Sequence, residues 1–165
     1  MPVRLPLIAL LFALCTCTIA RAEGVEVHHP YAISTGVGAQ TGAAFMAIHN
    51  HGDTDDALIG VRSPAARRVE LHQHVMTADG VMSMTAVTDP VIIPAGGEIL
   101  LDRGGYHIMF MGLAAPFEDG ALIPLTLVFE HAGEIEVAVP VDQSRFGDTQ
   151  SIGDMDMGTM DMASE

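Results

Sequence analysis

Apolar residues recur with a period of two along most of this chain, in runs too short for anything but strands. The first runs are VEVHHPYAIS from Val25, TGAAFMAIHN from Thr41, DALIGVRS from Asp56 and RRVELHQHVM over 67–76. VMSMTAV over 81–87, GEILLD over 97–102, YHIMFMGL from Tyr106, LIPLTLVFE and GEIEVAVPV follow, the last ending near Val141. Between them lie NHGDTDD, TADG, PAGGE, RGG, FEDG and HAG, clusters of Gly, Asp and Asn whose turn conformations end strands. No run keeps a helical period between caps; Ser63 is placed to cap a single helical turn over 64–68 and no more. Many short strands at even spacing with such punctuation predict one all-β sandwich or barrel, over residues 23–142. No internal repeat is evident.

Both ends depart from this pattern. Residues 1–22 carry Arg4, then an apolar run from Leu5, then Ala20-Arg21-Ala22. That is the layout of a secretory signal peptide cleaved after Ala22, and the apolar run is too short for a membrane span, so no stable membrane insertion is expected. A lipid anchor on Cys15 or Cys17 is the weaker reading, because neither follows a pair of small residues. Beyond Val141 the chain has few large apolar groups except methionine. Residues 143–165 read as a disordered tail ending in a Met/Asp tract, with Met155, Met157, Met160 and Met162 set among Asp154, Asp156 and Asp161.

Composition removes whole classes of chemistry. Both cysteines lie in the leader, so the mature chain has no disulfide, no thiol nucleophile and no thiolate-ligated metal. Cleavage leaves five arginines, no lysine and twenty-one acids, a formal charge of −16. Such a surface repels nucleic acid and anionic membranes and attracts cations. No Ser-His-Asp arrangement, phosphate loop or dinucleotide fingerprint is evident, and the chain is not expected to be an enzyme.

What remains is a set of imidazoles and thioethers at strand spacing. His107, Met109 and Met111 alternate in YHIMFMGL and share one face. In the hairpin joined by TADG, a three-residue loop with Gly80 in the left-handed position sets Met76 opposite Met82 and His74 opposite Met84. His72, His74, Met76, Met82 and Met84 then share a face; a two-residue Asp-Gly turn would split them. Met46 reads as core, and Met76 and Met111 are candidates for packing. Zinc sites favour thiolate, imidazole and carboxylate, and hard cations favour oxygen, whereas neutral thioether selects Cu(I). A blue-copper electron-transfer site needs a cysteine that this chain lacks. The donor set therefore describes holding Cu(I) and releasing it.

These residues resemble a known family. TGAAFMAIHN, LIGVRSPAARRVELH, GVMSM, PAGGEILLDRGGYHIMFMGL and PLTLVFEHAGEIEVAVPV are similar to the PCu(A)C family of periplasmic copper chaperones, over roughly 25–141. The resemblance implies a cupredoxin-like Greek-key β-sandwich and a periplasmic location. It implies an exposed Cu(I) site of two histidines and two methionines, here His72, Met84, His107 and Met109, with Met82 as the alternative to Met84. His74 stands where the family often has methionine; it could add a ligand or favour Cu(II). Some members bind a second copper through a Met- or His-rich C-terminal extension, a role open here to Met155, Met157, Met160 and Met162, and Cu(II) is a candidate for such a second site. The implied function is delivery of copper to the copper subunit of cytochrome c oxidase, some members working with a Sco-type thioredoxin-like assembly factor. The alternative is storage or resistance without delivery. A monomer is expected. His28 and His29, beside Pro30, read as solvent-facing, with assistance in copper capture as the lesser reading, and His49, His51 and His131 read as surface residues at strand ends.

Overall fold

The computed structural model describes residues 24–147, apart from 35, 37 and 78. Its strands are β1 Val25–Ser34, β2 Thr41–Asn50, β3 Asp56–Arg62, β4 Ala66–Met76 and β5 Met82–Ala86. They continue with β6 Val91–Ile93, β7 Glu98–Leu101, β8 Tyr106–Leu113, β9 Leu122–Phe129 and β10 Glu134–Pro140. Nine of the ten coincide with the alternating runs of the sequence; β6, three residues long, is too short to carry a readable period. Ser63 makes a turn and no helix: its hydroxyl accepts from Ala65 N and donates to Pro124 O, and β4 begins at Ala66.

The strands form two sheets, one in the order β1-β2-β7-β8-β4-β5 and the other β10-β9-β3-β6. The chain crosses between sheets at β2–β3, β3–β4, β5–β6, β6–β7 and β8–β9, so strands adjacent in space are often remote in sequence. The core lies between the sheets. Met46, Ile48, Leu101, Ile108 and Phe110 of the larger sheet meet Ile93, Leu125, Leu127 and Val139 of the smaller, all essentially inaccessible. Each such side chain contributes about 1.5–3 kcal/mol by leaving water. Met46 is the core methionine that the sequence predicts.

The smaller sheet is tied to its turn by a buried carboxylate. Asp56 accepts from Ala57 N at 2.7 Å, His131 N at 2.9 Å and Ala132 N at 2.9 Å. Burial pushes its pKa up, but these three donors outweigh burial and hold it below the usual carboxylate range.

The outward face of the larger sheet has a small apolar cluster of its own. Tyr31 stacks on Phe45 at 5.0 Å, with the guanidinium of Arg145 over Tyr31 and that of Arg103 over Phe45. Arg145 belongs to a short 3-10 helix, Gln143–Gly147, whose Gln143 side chain bonds Ser34 Oγ and Phe117 O. The segment expected to be disordered from residue 143 therefore begins with a turn bound to the domain. Residues 148–165, with the four tail methionines, lie outside the described residues, as do residues 1–23, where the signal peptide is expected.

Candidate metal centre

Strand pairing assembles the predicted ligands on that outward face. In β8, Ile108 and Phe110 point into the core, so His107, Met109 and Met111 point the other way. β4 runs antiparallel to β8 with His72 directly opposite His107 and Glu70 opposite Met109. On its other side β4 pairs with β5, setting His74 opposite Met84 and Met76 opposite Met82. This is the three-residue-loop register: Gly80 has φ +76° and its N–H donates to Thr77 O. His72 itself faces Ala86, so Met84 is diagonal to the His72–His107 pair, one ladder step away, and Met82 lies a step farther.

Three imidazoles converge. The His72 and His107 rings are 6.1 Å apart, and His74 stands edge-on to His107 at 5.0 Å. His107 is buried, with Phe45 stacked along its other side. Burial, chiefly, and then the neighbouring His74 and His72 hold its pKa below the ordinary imidazole range, against the Gly105 carbonyl, which raises it. The shift favours the neutral ring, the form that binds a metal. His107 Nδ1 lies 3.3 Å from Gly105 O, which leaves Nε2 as its lone-pair nitrogen.

His72 Nε2 is 3.2 Å from Glu70 Oε2, and its Nδ1 is buried without any hydrogen-bond partner. A buried polar atom with no partner is costly unless something else satisfies it. An orphaned imidazole nitrogen beside a second imidazole, with Met109 and Met84 on adjacent ladder positions, fits a soft cation.

The methionines divide by surroundings. Met84 is 56% exposed and Met82 52%, on a strand that is exposed throughout, so both sulfurs are free to swing. Met109 is half-buried between Glu70 on β4 and Ala43 on β2. Two packing assignments fail. Met76 is 67% exposed near the hairpin tip, and Met111 lies on the outward face, not beneath the site, with Arg68 Nη2 3.4 Å from its sulfur.

Sequence reasoning overlooked Glu70 and Phe45. Glu70 was visible two residues before His72 on the same strand face. Phe45 owes its place to β2–β8 pairing across sixty residues of chain, which no local pattern carries.

The family model for LpqE-like proteins, "Putative lipoprotein LpqE-like", matches residues 25–141. The chain belongs to this family. Among its curated relatives is "Putative lipoprotein Lxx21020" of Leifsonia xyli subsp. xyli (strain CTCB07), 39% identical over 121 residues, which are 73% of this chain and 71% of that one. Solved structures place this LpqE-like chain among PCuAC domains. The "Apo PCuAC domain from PmoF1" aligns with TM-score 0.62 and 27% identity over 73% of this chain and 94% of that one. The "Copper-bound PCuAC domain from PmoF2" gives TM-score 0.59 and 25% identity over 73% and 93%. The "CuI-DR1885" solution structure from Deinococcus radiodurans gives TM-score 0.56 and 29% identity over 74% and 82%. The fold is therefore the PCuAC sandwich expected from the sequence.

Proposed function

We propose that this chain is an exported Cu(I) carrier that delivers copper for assembly of the copper centres of cytochrome c oxidase. One observation carries the reading: His72 and His107 are directly opposed on neighbouring strands, with Met109 and Met84 at the same patch and no thiolate in the mature chain. Copper-bound relatives of the same fold support it. His72, His107, Met109 and Met84 are the proposed ligands, and the hairpin register favours Met84 over Met82. His74 is close enough to act as a spare donor during loading or release. Two imidazoles and two thioethers carry no formal charge, so the bound ion keeps its own and a stronger anionic donor on an acceptor can extract it.

Exposure of Met82 and Met84 supports transfer, because ligand exchange needs an acceptor atom to reach the ion while it is still held. The function is carriage of a metal, not turnover. The lipoprotein names of its relatives support export; the mature N-terminus at Glu23, or a lipid on Cys15 or Cys17, is distinguished by intact mass. A Sco-type thioredoxin-like protein is a second acceptor, and the Met/Asp tract over 154–162 is a second candidate copper ligand set.

The test is transfer. Cu(I)-loaded protein is mixed anaerobically with the soluble domain of the oxidase copper subunit, with and without a Sco-type partner, and copper is followed on both after separation. Stoichiometric appearance of copper on an acceptor is expected. Retention of all copper on this chain would replace delivery with storage.

A further inference from the structure

The same sheet carries a second cluster of imidazoles, on β1 and at the far end of β2. Glu26 of β1 is directly opposite His49 of β2, and His49 is opposite Glu98 of β7, a row across three strands. His28 lies two residues along β1, facing the small Ala47, and His51 follows the end of β2. One ligand atom from each of Glu26, His28 and His51 lies within 4.8 Å of the other two.

The surroundings hold these groups in place. His51 N donates to Gly24 O, fastening the residue to the start of β1. Buried Asn50 fixes the turn beside it, donating to Thr54 O and Ile93 O and accepting from Gly52 N. His29 has φ 50°, a left-handed value rare for a side-chain-bearing residue, within a β-bulge that shifts the register between His28 and Tyr31. The bulge lets Glu26 and His28 share the outward face with Tyr31, three residues on.

The polar atoms are incompletely matched. His51 Nε2 is 3.3 Å and His28 Nε2 3.5 Å from the same Glu26 Oε2. The second contact lacks hydrogen-bond geometry, and His28 Nε2 is buried with no partner. His49 closes the side of the cluster, edge-on to His28 at 4.6 Å and stacked on His51 at 5.8 Å, while Glu98 Oε2 holds its Nε2 at 2.9 Å.

We propose that Glu26, His28 and His51, walled by His49, form a second metal site that takes a divalent cation of borderline softness, Cu(II) ahead of Zn(II). Imidazole with carboxylate and no thioether is the opposite selection from the first site, and such a set ranks divalent copper above zinc. Ligand atoms around a tetrahedral ion at about 2.0–2.1 Å lie about 3.3 Å apart, so closure asks each contact to shorten by about 1.5 Å at most. Rotation of the exposed Glu26 and His51 side chains toward His28 supplies that. The carboxylate balances part of the ion's charge, and Glu98 orients His49 behind it. Nothing here depends on the Cu(I) delivery reading.

The test uses the exported protein and three variants: H28A/H51A, E26Q and H72A/H107A. Cu(II) is titrated in air and followed by electron paramagnetic resonance, Zn(II) by calorimetry, and Cu(I) separately under nitrogen. Circular dichroism checks that each variant is folded. A Cu(II) signal with nitrogen couplings is expected in the wild type and in H72A/H107A. At least tenfold weaker Cu(II) binding is expected in H28A/H51A, and a severalfold loss in E26Q, with Cu(I) affinity unchanged in both. Cu(II) binding that persists unaltered in H28A/H51A, or that disappears only in H72A/H107A, would overturn the proposal.

Discussion

Glu70 offers a sensitive probe of the first site, because it touches a proposed ligand without being one. Its Oε2 sits 3.2 Å from His72 Nε2, its Oε1 3.4 Å from Arg68 Nε, and its strand position is opposite Met109. Glu70→Ala removes the group that sets the His72 ring orientation and opens space beside Met109. Partners of this kind typically contribute 10–100-fold in metal affinity, or about 1.4–2.7 kcal/mol. The carboxylate is about one-third exposed, with a side-chain exposure of 31%, so its pairing adds at most about 1 kcal/mol to folding and the variant stays folded. Glu70→Gln keeps an acceptor of the same shape and is expected to lose only part of the affinity. The assay is Cu(I) competition against a chromogenic chelator under nitrogen, with urea unfolding of the apo protein alongside. Cu(I) affinity in Glu70→Ala equal to wild type would refute the idea that the carboxylate orients His72. Equal losses in the Ala and Gln variants would make charge, not orientation, the operative property.

Other consequences follow from the same geometry. Met84→Leu is expected to weaken Cu(I) binding at least tenfold and Met82→Leu less than threefold; the reverse order would reassign the thioether. Asp56→Asn keeps Oδ1 as acceptor for Ala57 N and His131 N but sets an N–H donor against Ala132 N in place of Oδ2, and is expected to cost about 1.5–3 kcal/mol at pH 7. Because the folded-state pKa of Asp56 is depressed, its contribution is complete above the unfolded value of about 3.9 and is lost as pH falls through the folded value. The gap between wild type and Asp56→Asn in urea unfolding should therefore shrink below about pH 4, and a gap constant down to pH 2 would contradict the assignment. A Cβ on Gly42 would lie 2.6 Å from Phe117 Cε2 and 3.1 Å from Ile33 O, both within the packed domain. Gly42→Ala is expected to cost about 1–3 kcal/mol, read as a lower urea midpoint at constant slope.

The hairpin was legible only in part: TADG fits a two- or a three-residue loop, and only the grouping of His74 with Met84 on one face favoured the three-residue register that the structure has. The His72–His107 pair was not legible in this way. β4 and β8 are neighbours only after the chain has crossed between the sheets, with β5, β6 and β7 in between, so the resemblance and not the periodicity joined them. The second histidine cluster was discounted in the sequence for a related reason. His49 and His51 sit at a strand end, where surface is the ordinary expectation, and the bulge at His29 and Pro30 hides which face His28 occupies. Met76 and Met111 followed a rule that methionine fills cores, which holds for Met46 but fails on the solvent side of a sheet. The turn at Gln143–Gly147 depends on Ser34 and Tyr31, more than a hundred residues away, so composition alone made it look like tail.

The account stands or falls on the ligands of Cu(I). X-ray absorption at the copper edge, on anaerobically loaded protein with and without residues 148–165, measures them directly. Two nitrogen and two sulfur scatterers around one copper are expected in both forms, with sulfur reduced in Met84→Leu and tight binding lost in His72→Ala/His107→Ala. A copper shell without sulfur, or one left unchanged when both histidines are removed, would contradict the site.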